Sequence, residues 1–208
     1  MEEKLAKSMG SLTAKHRKEL VKLLGSPPRY DNIPKSFWKK VEDDVKAELA
    51  TALLLIFSES ATQHGWAGDD ATVAAEGWAA ERAESVAESW VETGKDMVRT
   101  ASDRWESYDE PPTTAEISED TLSAFGPDRV ARAAENETTV ARHQGSEVAV
   151  EATTGLSDGD LWVNTGSNVC PVCRDLDGKP RSYWEKFFPG GPPDPHVSCK
   201  CYIEYVNE

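Results

Sequence analysis

The chain has 208 residues, enough to bury a substantial core in one or two domains. Its formal charge of −14 excludes a protein that coats nucleic acid through its whole surface. The acid is concentrated: residues 1–50 carry 11 Lys and Arg against 8 Asp and Glu, residues 51–160 carry 7 against 23, and residues 161–208 carry 5 against 6. A middle segment of this kind reads as the solvated faces of long helices. "MEEKLAKSMG" lacks the apolar centre of a signal peptide, and the densest apolar run, Ala52–Phe57, is far too short to span a bilayer. A protein made in a reducing cytosol, with no membrane partner, is the expectation.

The first 150 residues carry helical periodicity. Leu5, Met9, Leu12, His16, Leu20 and Leu23 recur at steps of three and four and predict a first helix ending near Gly25. After the "GSPPRYDNIP" turn, Pro34 opens a second helix with the stripe Trp38, Val41, Val45, Leu49, Leu53 and Ile56. "QHGWAGDD" interrupts it. A third helix is predicted from about Ala71 to Tyr108, with Ala83, Val86, Ala87, Trp90, Val91, Met97, Val98, Ala101 and Trp105 on one side. "DEPPTT" ends it, a short helix is expected over Thr114–Phe125, and a last one over about Pro127–Ala152. Trp38, Trp90 and Trp105 fall on apolar stripes, so packing rather than base or sugar stacking is their expected role.

From "GLSDGD" onward Gly, Pro and Asp become frequent and short β-like pieces appear, "LWV" and "CYIEYV". The predicted fold is therefore a mainly α N-terminal body of long amphipathic helices with a small, loop-rich α+β C-terminal module. The expected division is 1–125 as a helical, partner-binding body and 126–208 as a C-terminal domain, its Cys/His module over about 158–206.

All four cysteines lie in the last 39 residues. Cys170 and Cys173 form a C-x-x-C pair, which a tight turn can present to one metal ion; His196, Cys199 and Cys201 follow. His196 and Cys199 repeat the two-residue gap, while Cys199 and Cys201, two apart, share a face if extended. Five candidates compete for four tetrahedral positions. The set Cys170, Cys173, His196 and Cys199 is favoured, with Cys201 the residue most readily spared. The intervening "RDLDGKPRSYWEKFFPGGPPDP" has little periodic apolar content, so a structural Zn²⁺ is the expected staple, around a miniature core of Tyr183, Trp184, Phe187 and Phe188. C-P-x-C also occurs as a redox motif, but that use needs a helix N-terminus in a βαβ setting, which the sequence does not suggest. A catalytic zinc would need an open coordination position, and a closed cysteine-rich site fits the spacing better.

The stretch "WVNTGSNVCPVCRDLDGKP…PPDPHVSCKCYIEYV" resembles the C-terminal region of the phage Mu F-like family, the minor head or head morphogenesis proteins of tailed bacteriophages. The matching residues are Trp162, Cys170, Pro171, Cys173, Leu176, Gly178, Pro195, His196, Cys199 and Cys201. The preceding "RVARAAENETTVARHQG" resembles the family's Arg-rich helix, with Glu137 in the acid position; the likeness covers about residues 127–206. This chain has Asn136 where a Thr is common and "KC" where "RC" is usual. The resemblance implies a virion protein associated with the portal protein or the major capsid protein inside the head, with packaged DNA as a further contact; part of an oligomeric assembly is expected, and, since the sequence offers no catalytic constellation, no enzymatic activity. It implies location in the phage head and, during assembly, in the host cytoplasm.

Glu137 shares a helical stripe with Val130, Ala134, Ala141 and Val148, which directs its carboxylate inward. A buried carboxylate needs a partner, and a structural ion pair with Arg129 or Arg181 is expected in preference to a role as catalytic acid or base. His16, His64 and His143 stand apart from the cysteines and are expected to be packed or solvated. Two alternatives accompany the head-protein reading. One is a DNA-binding zinc module, drawing on Lys4, Lys7, Lys15, Arg17, Lys18, Lys22, Lys35, Lys39 and Lys40 and on Arg174, Lys179, Arg181 and Lys186. The other is a metal-dependent hydrolase or nuclease, drawing on Glu137 and the aspartates near the cysteines.

Overall fold

The computed structural model describes residues 1–165, 169–192 and 199–206. Six helices make the body: α1 (Glu2–Leu24), α2 (Lys35–Gln63), α3 (Asp69–Glu106), α4 (Thr114–Asp120), α5 (Leu122–Phe125) and α6 (Pro127–Thr153). The C-terminal region adds β1 (Leu161–Val163), α7 (Pro171–Leu176), α8 (Arg181–Trp184) and β2 (Tyr202–Glu204). The predicted class, a helical body with a small module holding two strands, is the one observed. Among the described residues no helix is long and apolar enough to cross a membrane.

The chain folds into two compact units, neither a contiguous stretch. One holds Glu2–Ala50 and Ala80–Ala134; the other holds Met1, Thr51–Ala79 and Glu135–Glu208. Helices α2, α3 and α6 contribute to both.

In the first of these units the α2 stripe Trp38, Val41, Val45 and Leu49 is fully buried, as its periodicity requires. On α1 the buried line is Leu5, Met9, Thr13, His16, Leu20 and Leu24; Thr13 and Leu24 take the places expected of Leu12 and Leu23. Thr13 belongs inside because its hydroxyl donates to the Gly10 carbonyl at 3.3 Å. Trp38, Trp90 and Trp105 are buried in the core. The short helix after "DEPPTT" is two pieces. A reciprocal capping box starts α4, in which Glu116 N–H donates to Thr113 Oγ1 and Thr113 N–H to the Glu116 carboxylate. Arg129, half-buried with its guanidinium 3.9 Å from the Trp90 ring centroid, donates to the Ala124 and Trp90 carbonyls at 2.6 and 2.7 Å. Burial pulls it down to about 10.

His16 is 0% exposed. Its ring meets Phe37 and Phe125 edge-on, and its Nε2 lies 2.8 Å from Asp44 Oδ2. Of the two roles open to it, packing is the one it takes.

In the other unit α2 and α6 pass at close range. A Cβ added to Gly145 would lie 2.5 Å from the Phe57 carbonyl oxygen, so only glycine permits the approach. Ser60 donates to the Arg142 carbonyl at 2.8 Å and shares a 2.7 Å hydrogen bond with Ser146. Phe57, Ala61, Ala75 and Ala149 pack here with the half-buried Trp66 and Trp78.

Burial lowers the His16 pKa, outweighing the hydrogen bond to Asp44; Lys40 lowers it further and Glu19 opposes. The native state therefore resists a proton that the unfolded chain accepts below about pH 6.5. Stability should fall as pH drops from 7 to 5, by up to about 1.4 kcal/mol per pH unit from this group. Urea unfolding of the wild type and of His16→Gln at both pH values measures it: the variant should show the smaller loss.

Candidate metal centre and its supporting network

Period-2 alternation positions the second cysteine pair. From residue 199 to 204, Cys199, Cys201 and Ile203 are buried while Lys200, Tyr202 and Glu204 are exposed, so both sulfurs fall on the inward face. β2 pairs antiparallel with β1, with Trp162 opposite Ile203, and this sets the indole above the cysteines. The other edge of β1 is engaged by the turn after α7: Trp162 N–H donates to the Lys179 carbonyl at 2.9 Å, and Gly178 N–H to the Trp162 carbonyl at 2.8 Å. Gly178 has φ +67, a value a side chain would resist.

The first pair comes from a helix start. Cys170 is the N-cap of α7 and Pro171 its first residue, with fixed φ and no N–H to satisfy. Cys170 Sγ accepts the Cys173 N–H at 3.3 Å. The C-P-x-C motif thus does open a helix, but a short one beside a two-stranded antiparallel sheet, not the βαβ setting of a redox site.

Cys173, Cys199 and Cys201 are buried with their sulfurs all within 4.8 Å of one another, and Cys173 Sγ lies 3.7 Å from Cys199 Sγ. None of the four cysteines is in a disulfide. A tetrahedral ion bound at about 2.3 Å to sulfur sets its ligands about 3.8 Å apart, so the spacing suits one shared metal ion. The half-buried Cys170 packs against this cluster. Cys201, expected as the spare, is inside the trio because strand alternation turns it with Cys199. His196 lies outside the described residues.

The three thiols ionise unequally. Cys201 is lowered to about 6, chiefly by the hydrogen bond from Cys199, with help from Cys173, the Trp162 indole and the Thr165 backbone, and against the cost of burial. The same bond to Cys201, with burial added, drives Cys199 well above the ordinary thiol range. Burial pushes Cys173 up to about 12. The trio therefore gives up a first proton readily and holds the others, since the low-dielectric pocket accepts one negative charge without a cation and not two. Trp162 Nε1 is buried near Cys201 without a well-aligned acceptor.

The core around the sulfurs is Trp162, Leu176, Trp184 and Ile203, with Phe188 partly buried. Of the four aromatics expected there, Tyr183 and Phe187 are 44% and 61% exposed. A helical turn puts residues four apart on one side: Trp184 and Phe188 face in, Tyr183 and Phe187 face out.

A second buried cluster fixes this module to α6. Arg181, which the DNA-binding alternative counts among its cations, is only 4% exposed. Its Nε donates to Asp160 Oδ2 at 3.2 Å, and its Nη1 to Glu147 Oε1 at 2.9 Å and Glu185 Oε1 at 3.1 Å. Asp160, 1% exposed, also accepts from Ser157 N–H at 3.1 Å and Val206 N–H at 3.0 Å, and its own carbonyl accepts the Trp184 indole N–H at 3.1 Å. Burial raises the Glu147 pKa, but His143 and Arg181 outweigh it and hold the carboxyl below its usual value. His143 Nε2 is 3.2 Å from Glu147 Oε2, without hydrogen-bond alignment, and its ring lies beside Gly191, where a Cβ would come within 2.4 Å of that nitrogen. Burial lowers the pKa of His64, which packs edge-on to Tyr205 with centroids 5.3 Å apart. Sequence reading missed Asp160 and Glu147; the only available signal was an Asp-Gly-Asp turn immediately before "LWV".

Glu137 is buried, as its stripe position requires, and accepts from the Asn136 side-chain amide at 3.0 Å. Arg129 donates to backbone carbonyls of its own unit, and Arg181 to Glu147, Asp160 and Glu185. No protein-family model, curated protein or solved structure matches the chain.

Replacing Asp160 by Asn keeps the shape and removes the charge that Arg181 faces in the interior. Breaking one side of such a buried pair costs about 3–5 kcal/mol. Asp160→Asn should therefore lower the unfolding midpoint followed by tryptophan fluorescence, whereas Glu185→Gln, at a half-exposed partner, should change it little.

Proposed function

We propose that the chain is a structural minor head protein of a tailed bacteriophage, with a helical body that engages portal or capsid partners and a C-terminal module held by one structural Zn²⁺ ion. The observation that supports this reading best is the convergence of its two motif halves, C-P-x-C and C-x-C, on one buried cluster beneath Trp162. These are the residues through which the sequence resembles the Mu F-like proteins.

Zinc suits the donor set: soft sulfurs at tetrahedral spacing, one of them already ionised near neutral pH. Cys173, Cys199 and Cys201 supply three ligands, and Cys170 or His196 the fourth. The Cys170 sulfur at the N-cap already accepts a backbone N–H, as a metal-bound thiolate does. A bound dication would compensate the charge that the trio resists developing alone. Four such ligands leave no open position for a substrate, which favours a structural over a hydrolytic role. The DNA-binding alternative loses one of its cations, since Arg181 is buried among carboxylates.

Two measurements test the proposal. Chelation, or Cys201→Ser, should release the zinc and lower the unfolding temperature of the C-terminal module; a Cys201→Ser protein that keeps one zinc per chain and its stability would overturn the ligand assignment. Mass spectrometry of purified proheads and virions of the encoding phage should detect the protein, and particles that lack it would overturn the assignment to the head.

A further inference from the structure

Two surface features are left unused by the metal centre. The first is the outward aromatic pair of the C-terminal module. Tyr183 and Phe187 are 44% and 61% exposed, with ring centroids 5.7 Å apart. Lys179 Nζ stands 5.4 Å from the Tyr183 centroid, and the neighbouring Lys186 is exposed. Trp184, fully buried one residue away, anchors the turn that presents them. Two touching aromatic rings held out into water by a rigid turn are a feature of interaction surfaces.

The second feature is a groove of about 440 Å³ in the unit formed by Glu2–Ala50 and Ala80–Ala134. It lies between "SPPRY" and "YDEPP". Pro28, Pro111, Pro112 and the half-exposed Tyr108 contribute apolar wall, and Glu106, Asp109 and Arg29 line it too; Arg104, which reaches Tyr108, is paired with Asp120. Its volume is within the range of about 300–1,000 Å³ typical of sites that enclose a ring-bearing group. Proline fixes φ, so little conformational freedom remains to be lost when the walls close on a ligand.

We propose that the aromatic pair of one copy docks in the proline groove of a second copy, Phe187 entering against Tyr108 while Lys179 and Lys186 meet Glu106 and Asp109. The occupant is a second copy because the protruding rings carry flanking ammonium groups and the groove of prolines and a tyrosine carries flanking carboxylates, so the two patches are complementary in charge, and every chain carries both. The two patches differ, so the contact is heterologous: each docked pair still carries one free ring pair and one free groove, and assembly continues beyond the dimer. The proposal does not rest on the phage reading.

Sedimentation velocity of the full chain across a concentration series tests it. The wild type should associate beyond a dimer, and less so as salt rises. Phe187→Ser and Tyr108→Ser change exposed side chains, and each should be monomeric, with affinity weakened at least about tenfold and an unchanged far-UV circular dichroism spectrum. An equimolar mixture of the two variants retains one intact ring pair and one intact groove, so it should form a dimer that grows no further. A wild type that stays monomeric up to its solubility limit would overturn the proposal. So would association that survives both variants, or a mixture that remains monomeric.

Discussion

Three sulfur atoms held within 4.8 Å of each other under two buried indoles are the constraint on which the C-terminal module depends. A thiol there has lost water and gained mainly other thiols as neighbours. The electrostatic consequence is the split in acidity, with Cys201 at about 6 and its neighbours raised. The backbone is arranged to keep the sulfurs together: alternation on the last strand turns two of them inward, and the N-cap geometry of α7 brings the third, with Cys170 beside it. Among the described residues little else in the region fills a core. Trp162, Leu176, Trp184 and Ile203 are few for such a span of chain, and a cation shared by the sulfurs would supply cohesion that apolar area does not.

The Arg181 cluster is the complementary device. Charge buried in a protein interior is tolerated when its partners are fixed and its hydrogen bonds are made. Asp160 meets that condition through two backbone N–H groups and a guanidinium. Its position immediately before β1 ties the strand that carries Trp162 to α8 through Arg181, and Glu147 extends the tie to α6. Sulfur cluster and ion cluster thus hold the same small sheet from two directions, one through Trp162 and the strand after Cys201, the other through Asp160 and the indole of Trp184.

The helices were legible because a 3.6-residue period leaves a repeated trace over many turns, and the α2 stripe was read without error. The α1 stripe slipped by one position at Thr13 and Leu24, where adjacent residues compete for the same side of the helix and a hydroxyl bonded to its own backbone passes as apolar. Short elements leave too few repeats for such a reading. Four aromatics in six residues look like a core, and only the turn of α8 separates Trp184 and Phe188 from Tyr183 and Phe187. Arg181, Asp160 and Glu147 are brought together across separations of up to 34 residues, and nothing local to any of them announces it. The cysteines stood out because they are rare and clustered, but their order of preference did not: extended backbone at Cys199–Cys201 gives both sulfurs the same side, so Cys201 belongs to the group.

X-ray absorption spectroscopy at the zinc edge, on protein purified without chelator and with its metal content counted, decides whether the sulfur cluster is a metal centre. One zinc per chain is expected, with a shell dominated by sulfur at about 2.3 Å, lost together with the native tryptophan fluorescence when the metal is removed. Metal-free protein with four titratable thiols and Trp162 and Trp184 still in their native environment would contradict it.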